Sequence, residues 1–212
     1  MAPKRAFGWF GPVSGILFAV LLIVAFVVFG DGPDVDIDDS ATKIAAELEE
    51  SRDGASASFP IFGLSLFFFL FFLAYLRDHL RRVGDEGAWI VSVLWASGLL
   101  FAATFLLQGF VLAAEFAVDD YGADAQVAKA LFAMSWNSVL VMGPPLAAFG
   151  AAASVLILRF KPLPRWLGAL AVLVFLSGFV PWMGGPVLGL WVLLTSIVLL
   201  VQGRGRPTTT SA

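Results

Sequence analysis

The sequence predicts an all-α integral membrane bundle of six transmembrane helices with both termini cytoplasmic, and three observations carry that expectation. Hydrophobic residues make up 59% of the 212 and charged ones only 14%, against about 45–50% and about 25% in ordinary soluble domains. The apolar residues gather in runs as long as a helix needs to cross roughly 30 Å of hydrocarbon. The basic residues between those runs fall mostly on one side of the resulting topology.

The first run, residues 11–30, follows the basic stretch from Met1 to Arg5. It is longer than the apolar region of a signal peptide and no small-x-small cleavage site follows it, so it reads as a retained helix. Residues 31–58 read as an outer acidic loop, with nine acids against Lys43 and Arg52. Within that loop Asp39 or Ser40 is placed to cap a short amphipathic helix through Ile44, Ala45, Leu48 and Glu50, lying on the outer surface. A calcium loop starting at Asp36 would put Asp38, Ser40 and Glu47 at ligand positions. Ala41, however, stands where glycine is needed and Lys43 where an apolar residue belongs, so a solvated acidic loop is the expectation. Span two, 59–76, carries Phe67, Phe68, Phe69, Phe71 and Phe72 on several faces, as lipid and helix packing require.

A short basic inner connection from Arg77 to Gly87 holds the single histidine, His79. Its charge reads as topogenic. Spans three and four, 88–118 and 128–158, are longer than the bilayer needs and should tilt or project outward. Pro144-Pro145 removes two backbone donors and should bend the fourth. The small residues from Ala147 to Ala153 mark a close helix contact, where bulk at Ala151 is expected to impair assembly. Gly11 with Gly15, and Gly185 with Gly189, have the same small-residue spacing. The last apolar stretch is too long for one span and too short for three. Pro181, Gly184, Gly185 and Pro186 divide it into spans 163–182 and 184–202, and residues 203–212 are expected to form a disordered cytoplasmic tail.

Orientation follows from Lys and Arg. Ten of the thirteen share the side of the termini, leaving Lys43, Arg52 and Lys129 opposite, and the positive-inside rule makes the majority side cytoplasmic. Trp9, Trp89 and Trp166 then fall at inner boundaries, and Trp136, Trp182 and Tyr121 at or near outer ones. The expected location is the plasma membrane.

Depth assigns meaning to the few polar residues inside spans. At about 1.5 Å per residue, Gln108 lies about 30 Å above the inner end of its span, Glu115 about 40 Å and Asn137 about 32 Å. The midplane holds only Ser65, Ser97, Thr195 and Ser196, whose hydroxyls can bond back to their own helices. A coupled transporter with ionisable groups at that depth is therefore disfavoured. Gln108, Glu115, Trp136 and Asn137, with Ser135 at the same level, are the candidate binding site, an outward-facing polar cluster between spans three and four. Trp95 and Trp191 read as packing residues.

The absence of cysteine excludes disulfides, thiolate metal sites and thiol catalysis. No cofactor, metal or nucleic-acid partner is expected, and no catalytic constellation is present. With six spans, an acidic first outer loop and a second span ending in Leu76-Arg77-Asp78-His79-Leu80-Arg81-Arg82, the chain resembles, in general layout, the small uncharacterised multi-spanning membrane proteins of high-GC bacteria grouped as domains of unknown function. No functional residue carries over from that resemblance. The sequence favours a non-enzymatic scaffold or accessory membrane subunit, in contact with the lipid bilayer and with a membrane-protein partner or a second copy. The alternative is binding or transport of a lipid or a small apolar or amphipathic molecule at an outer-leaflet pocket.

Overall fold

The structure is a computed structural model that describes residues 8–30, 33–109 and 124–204. Six α-helices account for nearly all of them: α1 (Phe10–Phe29), α2 (Ala41–Leu80), α3 (Asp85–Leu106), α4 (Ala125–Val155), α5 (Arg165–Ser177) and α6 (Gly184–Arg204). Among the described residues there is no strand. Five of the helices are long and apolar enough to cross a membrane, and α5, at 13 residues, is shorter. Large apolar side chains such as Val27, Phe67, Leu140 and Leu190 are exposed on the outside of the bundle. A lipid environment accepts such a surface; water does not.

Each helix buries one stripe of residues three and four apart. On α1 the stripe is Gly11, Gly15, Phe18, Leu22 and Ala25; on α4 it is Ala128, Phe132, Ser135, Val139, Met142, Leu146, Phe149 and Ala153. Apart from the first turns of α2 and α4, these stripes meet in one large core, built on Phe69, Phe72, Leu73 and Leu76 of α2, Leu94 and Phe101 of α3, Phe149 of α4, and Trp191 of α6. Trp191 is fully buried, sets its ring edge-on to Phe149 and donates Nε1–H to the Leu167 carbonyl at 3.0 Å, which pins α6 to α5.

Close approach is set by glycine where the helices cross. A Cβ at Gly150 would meet the Phe175 Cα and the Val174 carbonyl carbon at 2.8 Å, and one at Gly143 would strike the Gly178 carbonyl oxygen. The contact expected from the small-residue run therefore lies on Gly143 and Gly150, facing α5, while Ala151 is only half-buried. Gly11 and Gly15 form a second close contact, since a Cβ on either would enter the Tyr75 or the Phe72 and Ser196 side chains.

Several expectations are corrected. Within the acidic segment expected as a loop over 31–58, the helix is not a separate surface element: Ser40 caps α2 by accepting from the Lys43 N–H at 3.3 Å, and the helix then runs 40 residues without a break. Gly54 and Pro60, which look like breakers, sit inside it. Gly54 passes the end of α1 at a distance where a Cβ would lie 3.2 Å from the Phe29 carbonyl oxygen, so its missing side chain admits the crossing. The third span, expected as one helix to Val118, leaves α-helical bonding at Leu106 and tightens into a 3-10 turn over Leu107–Gly109. Residues 110–123, with Glu115 and Tyr121, lie outside the described residues, as do the amino-terminal basic pair and residues 205–212. α6 extends to Arg204, so the expected tail begins later than 203. Ser97 does bond back to the Val93 and Leu94 carbonyls, but the buried hydroxyls of Ser65, Thr195 and Ser196 have no partner.

The connection between α2 and α3 is ordered by a 3-10 turn over Arg81–Val83 and by Gly84 at φ 87°, a conformation open to glycine. Arg77 lies 4.9 Å over the Trp95 ring, and Arg159 approaches Glu86 at 4.0 Å.

Candidate functional site: an aromatic cavity under a two-helix cap

Because α2 and α4 are longer than a span, their amino-terminal turns continue together beyond the other helices. There they form a second small core of Val35, Ile44, Leu48, Ala128 and Phe132. The chain between α1 and α2 is stitched onto this cap. The Asp36 N–H donates to Asp39 Oδ2 at 2.9 Å, Lys43 Nζ donates to the same oxygen at 2.9 Å, and Lys129 Nζ of α4 donates to the Asp39 carbonyl at 2.6 Å. The backbone donor first, and Lys43 second, hold the Asp39 carboxyl below the usual carboxylate range; the same contact raises Lys43. Among the described residues no three His, Asp or Glu side chains gather where they could hold a metal. The Asp36 carboxylate is engaged by the Ile37 N–H at 2.6 Å, and Glu47 stands on α2.

Beneath the cap lies a cavity of about 590 Å³, to which all six helices contribute. That volume falls in the range of small-molecule sites, about 300–1,000 Å³. Its walls are aromatic: Phe26 of α1, Phe59 and Phe62 of α2, Phe105 of α3, and Phe132 and Trp136 of α4. Phe62 bridges Phe26 and Phe105, with ring centroids 5.2 and 5.7 Å apart. Trp182, between α5 and α6, closes one side by an edge contact with Trp136 at 5.4 Å. Trp182 holds φ 68°, left-handed backbone that costs a bulky residue about 1–3 kcal/mol and so marks a position fixed by its surroundings.

Gln108 is the polar centre. Its Nε2 donates to Ser138 Oγ at 2.8 Å, while Ser135 Oγ donates to Gln108 Oε1 at 3.2 Å and lies 3.3 Å from the Gln108 carbonyl. The 3-10 turn carries Gln108 out of the α3 stripe and toward α4. Gln108, Ser135 and Trp136 all line the cavity. Asn137 does not join them: it is exposed and donates Nδ2–H to the Ala133 carbonyl of its own helix at 2.7 Å. Ser138 is the site residue that sequence reasoning missed. Its signal was its phase, since Ser135 and Ser138 lie on the buried stripe of α4.

The chemistry available is recognition. The lining hydroxyls of Ser58 and Ser177 donate back to the Ala55 and Val174 carbonyls, and the only ionisable side chain of the described lining is Asp34. Pro144 supplies no N–H to the carbonyl of Leu140, a residue of the cavity wall. The lining therefore offers aromatic faces and backbone acceptors, without a nucleophile paired to a base. Comparison with protein-family models, curated proteins and solved structures gave no match, so the site's own chemistry has to carry the functional reading.

Proposed function

We propose that this protein is a six-span membrane protein, both termini cytoplasmic, that binds a small apolar or amphipathic molecule in the outer-leaflet cavity. The observation that carries the reading is the cavity itself. Helical bundles in lipid pack closely because dispersion is the main force between their helices, and leaving about 590 Å³ open forgoes that packing. The aromatic walls suit an apolar body, and the Gln108–Ser135–Ser138 network holds the polar side fixed. The ten-to-three split of basic residues supports the orientation, which sets the cavity toward the outer leaflet.

Gly63 provides a direct test, because it lines the cavity and a Cβ built on it meets nothing within 4 Å. Gly63→Phe should place a ring in the space and reduce several-fold the photo-crosslinking of a diazirine-bearing alkyl amphiphile to Phe62 and the buried Met142, both of which line it. Asn137→Ala, on the outer face of α4, should leave labelling unchanged. Equal labelling in wild type and Gly63→Phe would refute the reading and return the protein to the scaffold class.

A further inference from the structure

A second apolar depression of about 400 Å³ lies on the outside of the bundle, along the seam between α1 and α6. It is lined by Leu22, Ile23, Val27, Gly189, Leu190 and Leu193 among others, with no charged residue. Ile23, Val27 and Leu190 are more than half exposed, so the groove faces lipid. Phe26 borders both spaces, forming part of the cavity wall on one side and of the groove on the other. Directly across the seam, a Cβ on Gly185 would come no closer than 3.9 Å to either the Phe26 ring or the Phe105 ring. On the α1/α6 side, one half-exposed phenyl ring opposite a bare glycine thus stands between the cavity and the groove. The seam is roomiest at Gly185; at Gly189 it is closed by Leu22, whose Cδ2 a Cβ there would meet at 3.0 Å.

The charge of the two spaces differs. The groove is wholly apolar, whereas the described cavity lining has hydrogen-bonding groups and one charge, the carboxylate of Asp34, with no Lys, Arg or His. An anionic headgroup would meet no cation there, and a desolvated anion without a partner is costly.

We infer that the cavity is loaded sideways from the membrane through the α1/α6 seam, with Phe26 as the moving wall, and that its occupant is a single-chain amphiphile with a cationic or neutral headgroup whose tail lies in the groove. This rests on the cavity being a binding site and adds its route and ligand class. Phe26 is the side chain that would move, since it borders both spaces and its ring is 41% exposed.

The experiment uses the full-length protein in phosphatidylcholine vesicles containing a diazirine-bearing long-chain alkylamine, with adducts mapped by mass spectrometry. The wild type should be labelled at Ile23 and Leu190 in the groove and at Phe62 and the buried Met142 in the cavity, and a diazirine fatty acid should label the cavity several-fold less. Gly185→Leu, which extends a side chain between Phe26 and Phe105, should abolish cavity adducts and keep groove adducts, which also reports that the variant is folded. Phe26→Ala should act in the opposite direction and speed cavity labelling. Cavity adducts unchanged in both variants, or absent from the groove, would overturn the lateral route and leave the binding site standing. A fatty acid labelling the cavity better would overturn the headgroup class. No cavity adducts in the wild type would overturn the binding site, and the route with it.

Discussion

Gly150→Ala sets two opposing effects against each other at one position of α4. Alanine gains about 1 kcal/mol over glycine in a helix interior. Here, however, the added Cβ would lie 2.8 Å from both the Phe175 Cα and the Val174 carbonyl carbon, roughly 1 Å inside ordinary contact. Those neighbours are backbone atoms of α5 and cannot turn aside, so the overpacking cost falls at the upper end of its usual range, about 3 kcal/mol. The net loss is about 2 kcal/mol, which for a chain of this size lowers Tm by roughly 4–8 °C. Gly63→Ala on α2 is the matched control. Its Cβ meets nothing within 4 Å, so only the propensity gain remains and Tm should rise by roughly 2–4 °C. Thermal unfolding in one detergent, followed by near-ultraviolet circular dichroism, measures both. Shifts of the same sign at the two positions would refute the crossing geometry, because propensity alone would then account for both.

Gln108→Leu should cost about 1 kcal/mol per lost hydrogen bond, partly offset because Ser138 keeps the Ser135 carbonyl; chemical denaturation in mixed micelles measures it, and an unchanged midpoint would mean the network contributes nothing. Trp191→Phe removes the donor to Leu167 while keeping an aromatic ring, and should cost about 1 kcal/mol, read as a lower Tm. The Asp39 carboxyl is lowered in the fold, so its stabilisation of the cap is present above the unfolded value near about 3.9 and fades as pH falls through the lower folded value. Lys43 is raised, so its share persists below about 10.4 and fades as pH rises through the higher folded value. Hydrogen exchange of the cap, corrected for intrinsic rates, should therefore show faster opening under strong acid and at high pH; Asp39→Asn should remove the acid limb, and a variant that keeps it would disprove the assignment.

Hydropathy makes the helices legible because a span needs an unbroken apolar run, and that requirement is local. The continuity of α2 was not legible from the same reasoning. Gly54 and Pro60 weaken an isolated helix, but here tertiary contacts decide: Gly54 is placed by the end of α1, and Ile44 and Leu48 by α4. At the site, depth put Gln108 and Asn137 on one level, and level alone could not say which side chains face each other. Phase does. Asn137 is two residues from Ser135, about 200° around the helix, whereas Ser138 is three residues away and returns to the buried stripe. Counting the α4 stripe by threes and fours would have replaced Asn137 with Ser138. The outer-leaflet pocket expected at Gln108 and Trp136 has its counterpart in the cavity they line, but its aromatic extent was not legible, because it depends on helix ends, on the cap and on the turn at Trp182, which no single run of sequence encodes.

The unbroken length of α2 gives the molecule a lever arm. At about 1.5 Å per residue its 40 residues span roughly 60 Å, from the cap turn at Ser40 to the basic turn that begins at Arg81. Ile44 and Leu48 sit in the cap, Phe59 and Phe62 form the cavity wall, and Arg77 lies on Trp95 near the opposite end. A helix transmits tilt and rotation along its axis without the slack a loop would introduce, and Pro60 is the one place in it where a backbone hydrogen bond is missing. Whatever shifts the cap is therefore felt at the Arg77 end of α2 unless it is absorbed at Pro60, beside the cavity.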